Sequence, residues 1–256
     1  LMAASGGGTR AALHAAAVRQ GLARIDALQD TVLFSGVSGG SAAIAAVLLD
    51  FETLASAPPE SGPGYERWNA AWERCSNTLA QPFIDDVVRG TAEIRIARYE
   101  STSQLLADSF GKHLPPKPDP KDRIVAFDQF GVVLNTSVAG YKPRNTAPAE
   151  RSSPLPRPGD RLVFTNVADT DSAFPKHGYP GADDVYLQYL AVGLDAVPLT
   201  TAAALSANFP PVFPNAEVRL GDDAGFFVTD GGAVDNRGIL SLLYLLRHAL
   251  QRAANG

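Results

Sequence analysis

A single cysteine in 256 residues, Cys75, excludes an internal disulfide and any multi-thiolate metal site. It follows Trp68 and Trp72 at helical spacing, which predicts a small residue on the core face of a helix rather than a reactive thiol. The lack of disulfides is compatible with the cytoplasm without establishing it. Long apolar runs are also missing: the longest, Ala42 to Leu49, is far shorter than a membrane span. There is no basic excess either. Lys and Arg number 22 against 27 Asp and Glu, a net charge of −5, and they are scattered. No basic stripe can neutralise phosphates, so a nucleic-acid partner is not expected, and electrostatic docking to an anionic membrane is not indicated. Histidine is sparse. His14 and His248 fall in predicted helices, His177 lies in a loop, and neither these nor His113 sits in a motif-like setting.

What the chain does have is glycine in tight groups. Leu1 to Ala4, then Gly6-Gly7-Gly8, then Arg10 to Leu22 reads as strand, turn and helix, with Gly21 as a candidate C-cap. The opening residues read as the end of a strand already under way, predicting that the sequence begins inside a longer protein. Thr31 to Phe34 reads as a buried strand, followed by Gly36-Val37-Ser38 and a helix over Ser41 to Leu49. Two strand–turn–helix units in succession predict a parallel sheet with helices on its faces. A Pro/Gly/Ser loop, Ser56 to Gly64, precedes a helical stretch to about Leu114, broken at Pro82 and Gly90 and then ended by Pro115 to Pro120. Strand patterns recur at Ile124–Phe127, Val132–Thr136, Leu162–Asn166 and Phe226–Thr229, with a proline-rich surface loop from Pro143 to Pro158. A short helix is expected over Thr200–Ala207. A final amphipathic helix would carry Ile239, Leu242, Leu243, Leu246 and Leu250 on one face. The expected fold is a single domain over 1–256 with a partly helical insertion at about 56–120.

Three segments carry chemistry. A serine hydroxyl is a poor nucleophile unless it is exposed, activated and set beside donors for a developing oxyanion. Gly36-Val37-Ser38-Gly39-Gly40 matches G-x-S-x-G in outline, a sharp turn that lifts Ser38 above a sheet at a helix N-terminus. Taken alone, such a turn serves equally to bind phosphate or merely to reverse the chain. Gly6, Gly7 and Gly8, with Gly39, let backbone N–H groups converge on one point, an oxyanion hole in an acyl hydrolase. Dinucleotide spacing is not met, since Ala11 stands where the last glycine belongs. Arg10 could hold a phosphate or anchor the loop. Asp230 ends a strand before Gly231-Gly232, at the sheet edge where open α/β folds place their sites, and could act as base. An Asp-Gly turn is the competing reading. Asp235 and Asn236 fit better as caps of the last helix. The order Ser38…Asp230…His248 would suit a triad, but His248 lies turns into a helix, and the glycine donors stand too close before Ser38 for that fold. A Ser38–Asp230 dyad is the better fit.

On these residues the chain resembles the patatin-like phospholipases, with features of the cytosolic phospholipase group. Ser5 to Ala11 is similar to their oxyanion loop, Gly36 to Gly40 to their nucleophile elbow, and Asp230-Gly231-Gly232 with Val234-Asp235-Asn236 to their Asp-Gly-Gly block. Ala207 to Phe213 is similar to the stretch that precedes that block. Ser5 stands where plant patatins carry an acidic residue, and 56–160 aligns with nothing in the family. The resemblance implies a three-layer α/β/α sandwich with a mostly parallel central sheet. It also implies hydrolysis of lipid esters by a Ser–Asp dyad without metal or cofactor, at a membrane surface. Acyl transfer to another acceptor on the same dyad, or an idle lipid-binding domain of a larger membrane protein, are the alternatives. Trp68, Trp72 and Phe209-Pro210-Pro211 are candidates to line or flank the acyl channel, with core packing an equal account of the two tryptophans.

Overall fold

Strand β1 (Met2–Ala4), a glycine turn and α1 (Gly8–Arg24) are followed by the same pattern in β2 (Leu33–Val37) and α2 (Gly39–Leu48). The computed structural model describes residues 1–83, 102–113, 130–143, 158–167, 189–194, 197–210, 214–220 and 224–255. Helices α3 (Phe51–Ala55), α4 (Pro63–Leu79) and α5 (Thr102–His113) come next, then β3 (Gly131–Pro143), β4 (Arg161–Thr165) and β5 (Tyr189–Gly193). Helix α6 (Leu199–Ser206), the hairpin β6 (Ala216–Leu220) and β7 (Ala224–Asp230), the single turn α7 (Gly232–Asp235) and α8 (Ile239–Asn255) complete the chain. The break expected at Gly90, the extended Pro115–Pro120, the strand at Ile124–Phe127 and most of the loop after Pro143 lie outside the described residues. Gly21 is not a C-cap: α1 runs through it and ends where Asp26 turns left-handed at φ 58°, its N–H bonded to the Ala23 carbonyl.

The described strands form one seven-stranded sheet along the path β1-β2-β3-β4-β5, with β7 joined to β3 and β6 to β7. Pairing is parallel along this path except between β3 and β4, so the central path is mostly parallel. The β6–β7 branch is antiparallel to β3. Burial explains the layering. Phe34, Val132, Leu134, Leu162 and Phe164 point to one face, into a large cluster with α1, α2, α4, α5 and α6. Their neighbours Leu33, Val133 and Val163 point to the other face and meet Leu242 and Leu245 of α8. Helices therefore cover both faces, giving an α/β/α sandwich. The apolar face of α8 differs from expectation. Leu242 and Leu245 are buried, whereas Ile239, Leu243 and Leu250 are exposed, because the sheet contacts a narrower stripe than the leucine pattern suggested. Among the described residues no helix is long and apolar enough to cross a membrane.

Behind the site, α1 and α4 enclose two unusual core groups. Cys75 is buried, and burial pushes its thiol up to about 12, the inert core role its spacing predicted. Arg19 is buried without a carboxylate. One of its nitrogens donates to the Ala15 carbonyl at 2.9 Å and its guanidinium sits 5.8 Å from the Phe34 ring centroid. Its other two nitrogens lack partners, and burial lowers its pKa to about 10. Below that value Arg19 is charged in both folded and unfolded chains, so the desolvation penalty acts at all physiological pH. Arg19→Met, which keeps the stem but removes the charge, should raise the unfolding free energy by about 1–4 kcal/mol in urea titration. A loss instead would mean that the Ala15 and Phe34 contacts more than offset the buried charge.

Candidate active site

Strand β3 brings the two candidate side chains, Ser38 and Asp230, together. Along one edge, β2 runs parallel to it and ends with Val37 opposite Asn135. β7 arrives on the same edge from the other direction and ends with Asp230 opposite Thr136. It must share that edge, because β4 already occupies the opposite edge at Thr136 and Ser137. Two C-terminal strand ends thus meet head-on at adjacent positions of a third strand. Ser38 leaves one end and Asp230 closes the other.

Ser38 has φ 52° and ψ −123°, a left-handed backbone rare for a non-glycine residue and unfavourable by roughly 1–3 kcal/mol. Several contacts hold it there. The Ser38 N–H donates to Ser206 Oγ at 3.0 Å, and its carbonyl accepts the N–H groups of Ser41 at 2.9 Å and Ala42 at 3.2 Å. The surrounding glycines are required by contact. A Cβ on Gly36 would stand 2.8 Å from Ser41 Cα; one on Gly39 would overlap the Gly8 carbonyl, and one on Gly40 the Ala4 carbonyl. The nucleophile turn therefore lies directly on the β1–α1 backbone.

That approach places the N-termini of α1 and α2 side by side. Gly7 (φ 138°) and Gly8 (φ 62°) make the turn into α1. The N–H groups of Gly7, Gly8 and Gly39 have no acceptor among the described residues, as expected where helices begin. All three residues line a cavity of about 640 Å³ with Ser38 and Asp230. Gly6 departs from expectation. Its N–H donates to the Asn236 carbonyl at 2.8 Å, so it ties the oxyanion loop to the turn after Asp230 instead of facing the cavity. Arg10 is exposed and forms no ion pair or hydrogen bond with a described residue.

Asp230 is only 4% exposed, and burial raises its carboxyl above the ordinary carboxylate range. The Ser38 hydroxyl and the Gly232 N–H (2.7 Å) oppose this by hydrogen bonding to the charged form. The turn behind it is braced. Asp235 accepts the N–H groups of Gly238 and Leu240, capping α8 as expected, and pairs with the buried Arg161 at 3.2 Å. Away from this polar end the cavity is apolar, with Leu79, Phe83, Leu106 and Phe110 in its wall and Phe209 and Pro210 beside Ala207. Trp68 and Trp72 do not line it; they are core residues of α4. Pro211 and His177 lie outside the described residues. Of the described histidines, none lines the cavity. Among the described residues no cluster of three His, Cys, Asp or Glu is arranged for a metal ion.

Compared with protein-family models, curated proteins and solved structures, the chain matches none. Two residues that matter here escaped the sequence pattern. Ser206 supports the Ser38 backbone, and Asn135 reaches from β3 to β2 to donate to the Gly36 carbonyl at 2.8 Å. Ser206 immediately precedes the Ala207–Phe213 stretch, the one local signal that could have singled it out.

The raised carboxyl has a stability consequence. The folded chain binds the Asp230 proton more tightly than the unfolded chain, so stability falls as pH climbs from the ordinary carboxylate value through the raised one. Asp230→Asn should therefore melt at higher temperature than the wild type near neutral pH. The gap should close in acid, below the ordinary carboxylate value, where both carry a neutral group. An unchanged gap between the two conditions would contradict the assigned direction.

Proposed function

We propose that the chain is a serine acyl hydrolase acting on lipid esters through a Ser38–Asp230 dyad. The observation that carries this reading is the meeting of a strained serine and a buried carboxylate on one strand edge, beside an apolar cavity and three amides with no acceptor among the described residues. The resemblance to patatin-like phospholipases supports the same reading from the motifs. The order and spacing of the glycine loop, elbow and Asp-Gly-Gly block fit that chemistry.

In this reading an ester carbonyl lies over the Gly7, Gly8 and Gly39 amides, with its acyl chain along Leu79, Phe83, Leu106 and Phe110. Asp230 takes the Ser38 proton as Oγ bonds to the carbonyl carbon. The oxygen becomes an oxyanion held by the amides, where each donor contributes roughly 3 kcal/mol to the transition state. Collapse breaks the bond to the alcohol, which leaves with the proton from Asp230. Water then gives Asp230 a proton, attacks the acyl-serine and releases the acid, and the proton returns to Ser38. The raised carboxyl suits this cycle, because a carboxylate closer to working pH is a better base. The apolar wall suits a hydrocarbon acyl group, and exposed Phe209 suits entry from a lipid phase.

Wild-type protein should be labelled by a fluorophosphonate ester, Ser38→Ala should not be labelled, and Asp230→Asn should react about 10²–10⁴-fold more slowly. The labelling rate should rise with pH along a limb above the ordinary aspartate range, since only ionised Asp230 can accept the proton. Equal labelling of Ser38→Ala would remove Ser38 as nucleophile.

A further inference from the structure

Ser206 and Asn208, at the end of α6, touch the backbones of both reactive residues. Ser206 Oγ accepts the Ser38 N–H at 3.0 Å, lies 2.8 Å from Ser41 Oγ and donates to the Asn135 carbonyl at 2.6 Å. A serine has one hydroxyl proton, and here it is committed to Asn135. The Ser41 hydroxyl must therefore donate to Ser206, leaving one consistent arrangement with all three bonds made. The same segment then grips the base. The Ser206 carbonyl accepts the Gly231 N–H at 3.3 Å, and the Asn208 carbonyl accepts the Asp230 N–H at 3.0 Å and the Thr229 hydroxyl at 3.2 Å.

Resting on the Ser38–Asp230 reading above, we propose that Ser206 is a positioning residue. Its hydroxyl holds the nucleophile turn, and the carbonyls of Ser206 and Asn208 hold the end of β7, so this short bridge sets the distance between Ser38 and Asp230. The assignment has a corollary for the oxyanion. The Ser38 N–H, a donor in many serine hydrolases, is spent on Ser206, and the task falls to Gly7, Gly8 and Gly39. The bridge also adjoins the cavity, since Ala207, Phe209 and Pro210 line it. Substrate pressing on that wall bears on the segment that spaces the dyad.

The test compares Ser206→Ala with Ser241→Ala by ester hydrolysis, fluorophosphonate labelling and thermal melting. Ser241 is a matched control. It is fully buried and donates to the Asn135 side chain at 2.5 Å, but it makes no hydrogen bond to Ser38, Ser206 or Asn208. Ser206→Ala should lower kcat on a p-nitrophenyl ester roughly 10–100-fold with KM within about twofold, as misplacement of reacting groups does. It should also move the acid limb of the rate profile to higher pH, because Asp230 loses part of the hydrogen bond that favours its charged form. Ser241→Ala should lose comparable melting temperature while kcat and the limb stay put. If Ser206→Ala does not fold, Ser41→Ala removes one of the three bonds at Ser206 and should show the same pattern at roughly 3–10-fold. An active wild type with an unchanged rate and limb in Ser206→Ala (or in Ser41→Ala, where that variant stands in) would overturn the positioning role alone. A fall matched by Ser241→Ala would reduce it to general destabilisation. A wild type that neither labels nor turns over would overturn the hydrolase reading, and this role with it.

Discussion

The hydrogen-bonded edge of β3 is the constraint on which the site depends. One strand offers neighbouring positions to two others that approach from opposite directions, and the peptide ladder fixes where each stops. Strand spacing leaves little latitude: a shift of one residue would move an end by about 3.3 Å and turn its side chains to the other face. Ladder geometry, more than any side-chain contact, brings a residue near the start of the chain to one near its end.

Around that meeting point the structure concentrates features that are individually unfavourable. Ser38 is strained, the Asp230 carboxyl is buried, and three amides at helix starts have no acceptor among the described residues. Each opposes stability, and each is tolerated because the sheet and α2 over-determine the backbone there. The residues of α2 are almost wholly buried, from Gly39 to Leu48, so the helix that starts at the nucleophile cannot shift to relieve the strain. Local rules broken together at one point in an otherwise consistent fold mark a functional site. Arg19 breaks a rule elsewhere, and its neighbours give no sign of chemistry.

Much of this was legible in the residues because glycine leaves a sharp signature. The elbow, the turn into α1 and the end of β7 all fall where glycine groups put them, since close backbone approach admits nothing larger. The layer architecture followed from two strand–turn–helix units. The antiparallel branch did not: β6, Ala216-Glu217-Val218-Arg219-Leu220, alternates apolar and polar residues over only five positions, and its pairing partner is set by the whole sheet. Gly21 misled because its neighbours are strong helix formers and Asp26 took the left-handed position. The tryptophans of α4 misled because core and channel walls use the same residue types. Gly6 looked interchangeable with Gly7 and Gly8 until its N–H was seen to be occupied. Ser206 was illegible for a different reason: a serine at a helix end looks the same whether it faces water or holds a strained turn far away in sequence.

The meeting of β2 and β7 also sets an order in time. The β1–α1–β2–α2 units are local in sequence and form with short loop closures, whereas β7 reaches β3 only across a long intervening segment. Until it docks, the proposed nucleophile Ser38 stands without its proposed base. On the proposed Ser38–Asp230 reading, reactivity therefore waits for β7, however early the elbow forms.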